Sequence, residues 1–178
     1  MNFYLVSRVA DDKNFFVDLI YAVFQVKSSY SIEVNLTFVG AIESEALHRT
    51  LLRLIQVLEL DKQIKFTKRS IRYEEMDDVM KGGYFINLSI NDFVGYSGIE
   101  CLMHRLKTVF YNVDKNYIGW PLAYRQSFCQ DYVSLVELFN KINKKKEFFD
   151  RELALENTSL LKEYKLTDSE SELLRSLM

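Results

Sequence analysis

The stretch that most limits what this chain can fold into is 84–111, YFINLSINDFVGYSGIECLMHRLKTVFY. Its first five residues are apolar and rich in β-formers, and the breaker pair Gly82-Gly83 precedes them, so the pattern predicts a buried strand over 84–88. A polar loop follows over 89–95. Ser97 and Gly98 then open a helix whose Ile99, Leu102, Met103 and Leu106 share one face, and 108–111 returns as another short strand. In a strand, loop, helix, strand unit, ligands sit outside the carboxyl ends of the strands, where the free N–H groups of the helix face them and favour negative charge. An anion is the expected guest. Asp92 falls on the loop and Glu100 in the first turn of the helix, so both carboxylates can face one cleft. Carboxylates would repel a phosphate that they touched, and they suit hydroxyls, so the combination points to a sugar nucleotide.

The rest of the chain repeats the alternation. A short strand at 3–6 leads into a helical pattern over 14–26, where Phe16, Leu19, Ile20, Val23 and Phe24 recur at spacings of three and four. A second strand is expected at 33–39, with Gly40 where the backbone turns sharply. Ser44 reads as an N-cap, and Leu47, Leu51, Leu54, Ile55 and Leu58 make the packing stripe of the next helix. A third strand at 64–66 gives way to the loop 67–70 and a short helix near 74–80. Residues 112–125 hold Trp120 and Pro121 and show no period; the tryptophan is expected to close over the core, with stacking on a base as the alternative. A last strand at 127–130 precedes a helix from Tyr132 that ends in 141–146, and 147–178 reads as two more helices. Strands alternating with helices predict an α/β fold, a Rossmann-like parallel sheet with helices on both faces. The expected division is a nucleotide-sugar-binding domain over 1–146 and a helical segment over 147–178 packed on it.

Composition narrows the function classes. A chain of 178 residues with 48% apolar content can bury one substantial core, and a net charge of −2 supplies no global basic field for nucleic acid. The partner is expected to be small. Cys101 and Cys129 give neither a disulfide framework nor metal-ligand spacing, and both read as free thiols in a reducing compartment. His104 lies four residues after Glu100 with no third ligand, so no metal is expected. No apolar run is long enough for a membrane span, and no leader is evident, which suggests a cytoplasmic protein. The cluster Lys65, Lys68, Arg69 and Arg72 could meet phosphate or the acidic inner face of a membrane, with a solvated surface as its default role.

The run 92–109 resembles the donor-binding motif of retaining glycosyltransferases of the two-domain GT-B architecture, especially family 4. The matching residues are Asp92, Gly95, Ser97, Glu100, Leu102, Thr108 and Val109. Asp92 stands where that family has Glu, Arg105 and Lys107 stand where it favours Gly and Pro, and its Gly-Gly-x-x-Glu loop is not found after Val113. The resemblance implies the C-terminal, donor-binding half of a GT-B enzyme. It extends to Arg8 and Lys13, which it implies hold the donor diphosphate, and to the loop after the third strand, which places Lys68 near the nucleotide base. Glu100 would hold the ribose hydroxyls, Asp92 the sugar, and the N–H groups of Tyr96, Ser97 and Gly98, after Gly95, the phosphate. The chemistry of the cations stands unaided. A sugar leaving on a nucleoside diphosphate passes negative charge to the phosphate, and fixed cations there lower the barrier. No cofactor is implied beyond the donor itself, and an N-terminal acceptor-binding domain is an expected partner, either on a longer enzyme of which this chain is a fragment, the favoured expectation, or on a separate chain.

A competing reading is a degenerate domain that keeps the fold and serves in interaction or regulation. Its supports are the shorter Asp92, the bulky Arg105 and Lys107, and the missing Gly-Gly loop. A receiver or flavodoxin-type domain is the third possibility, but the first strand lacks a receiver's acidic pair and no flavin phosphate loop is evident.

Overall fold

The computed structural model describes residues 1–13, 15–88, 95–111 and 125–163. Asp92, Trp120 and Pro121 lie outside the described residues, as does the tail beyond 163. Among the described residues a sheet of six strands runs in the order β3-β2-β1-β4-β5-β6, with β1 Asn2–Val6, β2 Asn35–Val39, β3 Ile64–Phe66, β4 Tyr84–Leu88, β5 Lys107–Tyr111 and β6 Phe128–Cys129. Every neighbouring pair is parallel. This is the doubly wound order, in which the direction of winding reverses between β1 and β4. Leu5 pairs with Phe38 on one side and with Ile86 on the other, which fixes the level at which the three carboxyl ends stop.

Alternation along the strands divides the core. Phe3, Leu5, Leu36, Phe38, Tyr84, Ile86, Val109 and Tyr111 pack on one face with α1 (Phe16–Tyr30), α2 (Glu45–Val57) and the last helix, α5 (Tyr132–Glu163). On the other face Tyr4, Val6, Val39 and Phe85 meet Met80 of α3 (Asp78–Lys81) and Cys101 of α4 (Tyr96–Met103). Both faces are therefore covered, and near-continuous apolar runs in β1, β4 and β5 follow from that double burial.

The helix ends differ from the expected ones in ways that local chemistry explains. α2 starts where the sequence indicates, because Ser44 accepts a hydrogen bond from Leu47 N at 3.2 Å. α1 runs on to Tyr30 and stops at Ser31, which turns left-handed at φ 54°. α4 begins one residue earlier than expected, with Gly95 at φ 72° as its N-cap. Glu100 is consequently the fifth residue of α4 and sits in its second turn, not its first. Met103 is exposed rather than part of the apolar face, and Cys101 takes its place in the core; Phe24, expected in the core, is likewise exposed.

α5 does not end at 141–146. It continues through the lysine run to Glu163 with a kink at Lys145 (φ −143°, ψ 51°). Beyond the kink Phe149 and Leu153 enter the main core and Leu160 joins Phe110 and Phe128. Polar ties hold the second half. Asp150 accepts from Tyr84 Oη at 2.5 Å, from Lys107 at 2.9 Å and from Lys146 at 2.5 Å. Glu156 accepts from the backbone N–H groups of Gln126 and Ser127, both at 2.8 Å. Burial alone would raise the Asp150 carboxyl, but the hydrogen bonds from Lys146, Tyr84 and Lys107 outweigh it and hold it below the ordinary carboxylate range.

Candidate functional site

A cavity of about 520 Å³ opens where β1 and β2 end. Val6, Ser7 and Arg8 line it from the end of β1, with Lys13 beyond them; Val39, Gly40, Ala41 and Glu43 line it from the end of β2. Across the cavity stand Gly95, Tyr96 and Ser97 at the start of α4, and Ser70 closes one side. This is the place where doubly wound sheets take ligands, because the loops diverge on either side of the reversal and leave a crevice.

The local sequence explains how each wall is set. Gly95 can adopt its positive φ without a Cβ penalty, and so turns the chain into α4 at the cavity's edge. The first N–H groups of α4, those of Tyr96, Ser97 and Gly98, have no acceptor within the helix. Gly98 lies inward and is buried: a Cβ there would stand 2.6 Å from the Phe110 ring, so the absence of a side chain lets α4 lie close on β5. Gly40 serves a similar purpose, since a Cβ would come within 2.2 Å of Ser7 O. The close approach of two backbones, rather than a sharp turn, is what requires glycine at that position.

Arg8 is the best-held charge at the cavity. Its Nη1 donates to Glu43 Oε2 at 2.5 Å and its Nη2 donates to Asp12 Oδ2 at 3.1 Å. The Glu43 hydrogen bond, followed by the nearby charges of Asp12 and Glu43, raises the guanidinium further above its already high value, so it stays a cation at any working pH. Lys13 lines the same cavity, and its ammonium makes no hydrogen bond or ion pair among the described residues.

Of the residues expected from sequence, Arg8, Lys13, Gly95, Tyr96 and Ser97 come together on this one cavity, and Gly98 lies just beneath it. Glu100 is one turn further along α4, in a neighbouring cleft of about 30 Å³ shared with Ile71, Tyr73, Met76 and His104; Ser97 lines both spaces. In that cleft the rings of Tyr73 and His104 stack nearly parallel at 3.9 Å, with the Lys81 ammonium 4.8 Å from the tyrosine ring. Lys68 is exposed and left-handed (φ 59°), and from its loop Ser70 reaches the cavity instead. Arg69 of the same basic cluster is paired with Glu75 at 2.5 Å.

Sequence reading missed Ser7, Ala41, Glu43 and Ser70. The signal for the first three was strand order: once β2 lies beside β1, the residues after Val39 have to share a wall with those after Val6.

A parallel, doubly wound domain with a cavity lined by Arg8 and Lys13 at its winding reversal is the class that fold and site define. More particularly, the fold is that of the C-terminal domain of GT-B glycosyltransferases. The chain superimposes on the C-terminal domain of the glycosyl transferase group 1 family protein LpcC from Francisella tularensis with a TM-score of 0.68, at 12% identity, covering 93% of this chain and 87% of that one. Anabaena HepE, solved in complex with UDP and glucose, gives a TM-score of 0.69 at 14% identity, covering 99% of this chain and 47% of HepE. TarM gives 0.61 at 14% identity, covering 99% of this chain and 34% of TarM. The chain thus spans less than half the length of HepE and of TarM. No protein-family model matches it, and no curated protein matches it in sequence. Among the described residues no helix is long and apolar enough to cross a membrane.

Proposed function

We propose that this domain binds a nucleoside-diphosphate sugar in the cavity at the β1–β4 reversal, as the donor-binding half of a glycosyltransferase that retains anomeric configuration. The observation that carries this reading is the meeting of Arg8, Lys13 and the N-terminus of α4 on one concave surface. Two cations and the positive end of a helix suit a diphosphate, and they act most strongly on the charge that develops as the sugar departs. Glu100, in the adjoining cleft, takes the ribose hydroxyls, and Asp92 the sugar. With Arg8 and Lys13 balancing the leaving diphosphate, the reading involves no metal. The acceptor, and the remaining walls of the active site, belong to an N-terminal domain, as the HepE and TarM chains are long enough to contain. HepE's complex with UDP and glucose supports a uridine nucleotide among the candidates.

Isothermal titration of this domain with UDP and GDP tests the proposal. Binding in the micromolar to millimolar range that is lost in Arg8→Ala supports it. Equal affinity of the two proteins, or binding by neither, overturns it.

The second reading, a domain of this fold that no longer uses its site, has one specific observation in its favour: Arg8 is already occupied by two carboxylates. Thermal melting against a panel of sugar nucleotides separates the two. A ligand present at a hundred times its Kd adds about 2.7 kcal/mol to the folded state, whereas a disused site shifts with none.

A further inference from the structure

We infer that Glu43 is a built-in counter-ion of the cavity: its carboxylate holds Arg8 while the cavity is empty and releases it to an entering diphosphate, so Glu43 sets the strength of binding. The inference rests on the donor reading and adds to it a residue that neither the motif resemblance nor the spacing of charges singles out.

Backbone pairing imposes the contact. Beyond the ends of β1 and β2 the two chains remain joined, with Ser7 N donating to Val39 O at 3.0 Å and Val9 N to Ala41 O at 2.9 Å. Val9 O in turn accepts from Glu43 N and Ser44 N, both at 2.9 Å. The Gly40–Ser7 approach leaves no room for the two segments to separate by a side chain's width. Positions 8 and 43 are therefore neighbours for reasons that do not involve their own side chains, and placing opposite charges there produces the 2.5 Å pair.

Charge balance gives the contact its consequence. Arg8 is paired with the carboxylates of both Glu43 and Asp12, which leaves Lys13 as the cavity's cation without an ion pair among the described residues, whereas a diphosphate site needs a larger surplus of positive charge. Arg8 and Glu43 are each about half exposed (50% and 47%), so water can stand in for either partner when the pair opens. An anion that arrives beside Glu43 meets a like charge until the guanidinium turns to it, and like charges set side by side disfavour the complex. Asp12 lies on Arg8's own loop and bonds the other terminal nitrogen at the longer distance of 3.1 Å, so it can stay in place while Nη1 changes partner.

The test is isothermal titration with UDP, GDP and inorganic pyrophosphate, each against the unaltered domain, Glu43→Gln, Glu43→Asp, Arg8→Ala and the double variant Glu43→Gln/Arg8→Ala. Circular dichroism establishes that each variant is folded, and Glu43→Ala replaces Glu43→Gln under the same criteria should the latter unfold. Glu43→Gln is expected to bind roughly three- to tenfold more tightly, the range that freeing an exposed ion pair and removing a like charge allow. Glu43→Asp keeps the charge and stays within about twofold of the unaltered domain, and the gain disappears when Arg8 is alanine. Unchanged or weaker binding by Glu43→Gln, or a gain that survives the loss of Arg8, overturns the inference. If no variant binds a nucleotide but pyrophosphate still prefers Glu43→Gln, the donor reading fails while the role of Glu43 stands. If pyrophosphate binds none of the folded variants, the role of Glu43 is overturned with it.

Discussion

Asn157 on α5 supplies the backbone partners that Thr108 on β5 finds in no strand: its Oδ1 accepts from Thr108 N and its Nδ2 donates to Thr108 O, both at 2.9 Å. The same Nδ2 also reaches Ser127 Oγ at 3.1 Å. β6 pairs with β5 only at Phe110 and Tyr111, so at the level of Thr108 the side chain of a helix completes the ladder. Replacing Asn157 by Leu leaves a buried N–H and a buried C=O without partners, at about 1–3 kcal/mol each. The expected result is a loss of roughly 2–4 kcal/mol in urea unfolding, by the same principle, and a change below 0.5 kcal/mol would refute this account of the pair.

Arg105 closes α4 in the left-handed conformation (φ 56°), with Leu106 N donating to Cys101 O and Arg105 N to Leu102 O, each at 3.0 Å. That arrangement favours glycine at the left-handed position, which agrees with the glycine common there in the family that the motif resembles. Arg105→Gly should stabilise the domain by about 1 kcal/mol, the strain that a Cβ adds in this conformation. Chemical denaturation of the two proteins measures it directly.

Alkaline pH should weaken the fold through two phenols. Tyr84 and Tyr111 are both held well above the ordinary tyrosine value, by burial first and then by hydrogen bonds to Asp150 and to Asp18 (2.7 Å for the latter). Below pH about 10, folded and unfolded chains both keep these protons. Above it the unfolded chain releases them and the folded chain does not, so the folded state binds more protons and stability falls as pH rises. Each phenol contributes a slope of at most about 1.4 kcal/mol per pH unit, less where water screens the site. Urea melts between pH 9 and 11 should show a shallower decline for Tyr84→Phe/Tyr111→Phe than for the unaltered chain.

Both cysteines should be inert until the chain opens. Burial pushes the thiols of Cys101 and Cys129 up to about 12, so neither forms thiolate near neutrality. A disulfide reagent at pH 8 is expected to titrate both in denaturant and to label neither at an appreciable rate in the native protein. Rapid native labelling of Cys101 would mean that α4 detaches readily from the sheet.

The six strands and the helices between them were legible in the sequence because double burial turns β1, β4 and β5 into apolar runs, and because Ser44 announces its helix. Arg8, Lys13 and the start of α4 were legible as candidates through motif order. What the sequence could not convey depends on contacts made across the sheet. Glu43 has an unremarkable neighbourhood in the chain and gains its meaning only when Val9 pairs with Ala41. The continuation of α5 through 141–146 escaped because a lysine run looks like a solvated end, whereas Lys145 is a bend from which Phe149 and Leu153 return to the core. Glu100 falls in the second turn of α4 rather than the first because Tyr96, not Ser97, is the helix's first residue.

The outermost strands of the sheet are also its shortest, three residues in β3 and two in β6. Among the described residues a neighbouring chain seeking to extend the sheet would find little unpaired ladder on either margin, and along β5 the place next to Thr108 is already filled by Asn157. The longest strands, those with the greatest capacity for unwanted pairing, lie in the interior. A domain so arranged should stay dispersed at concentrations where an open parallel sheet of equal strand lengths would begin to associate edge to edge.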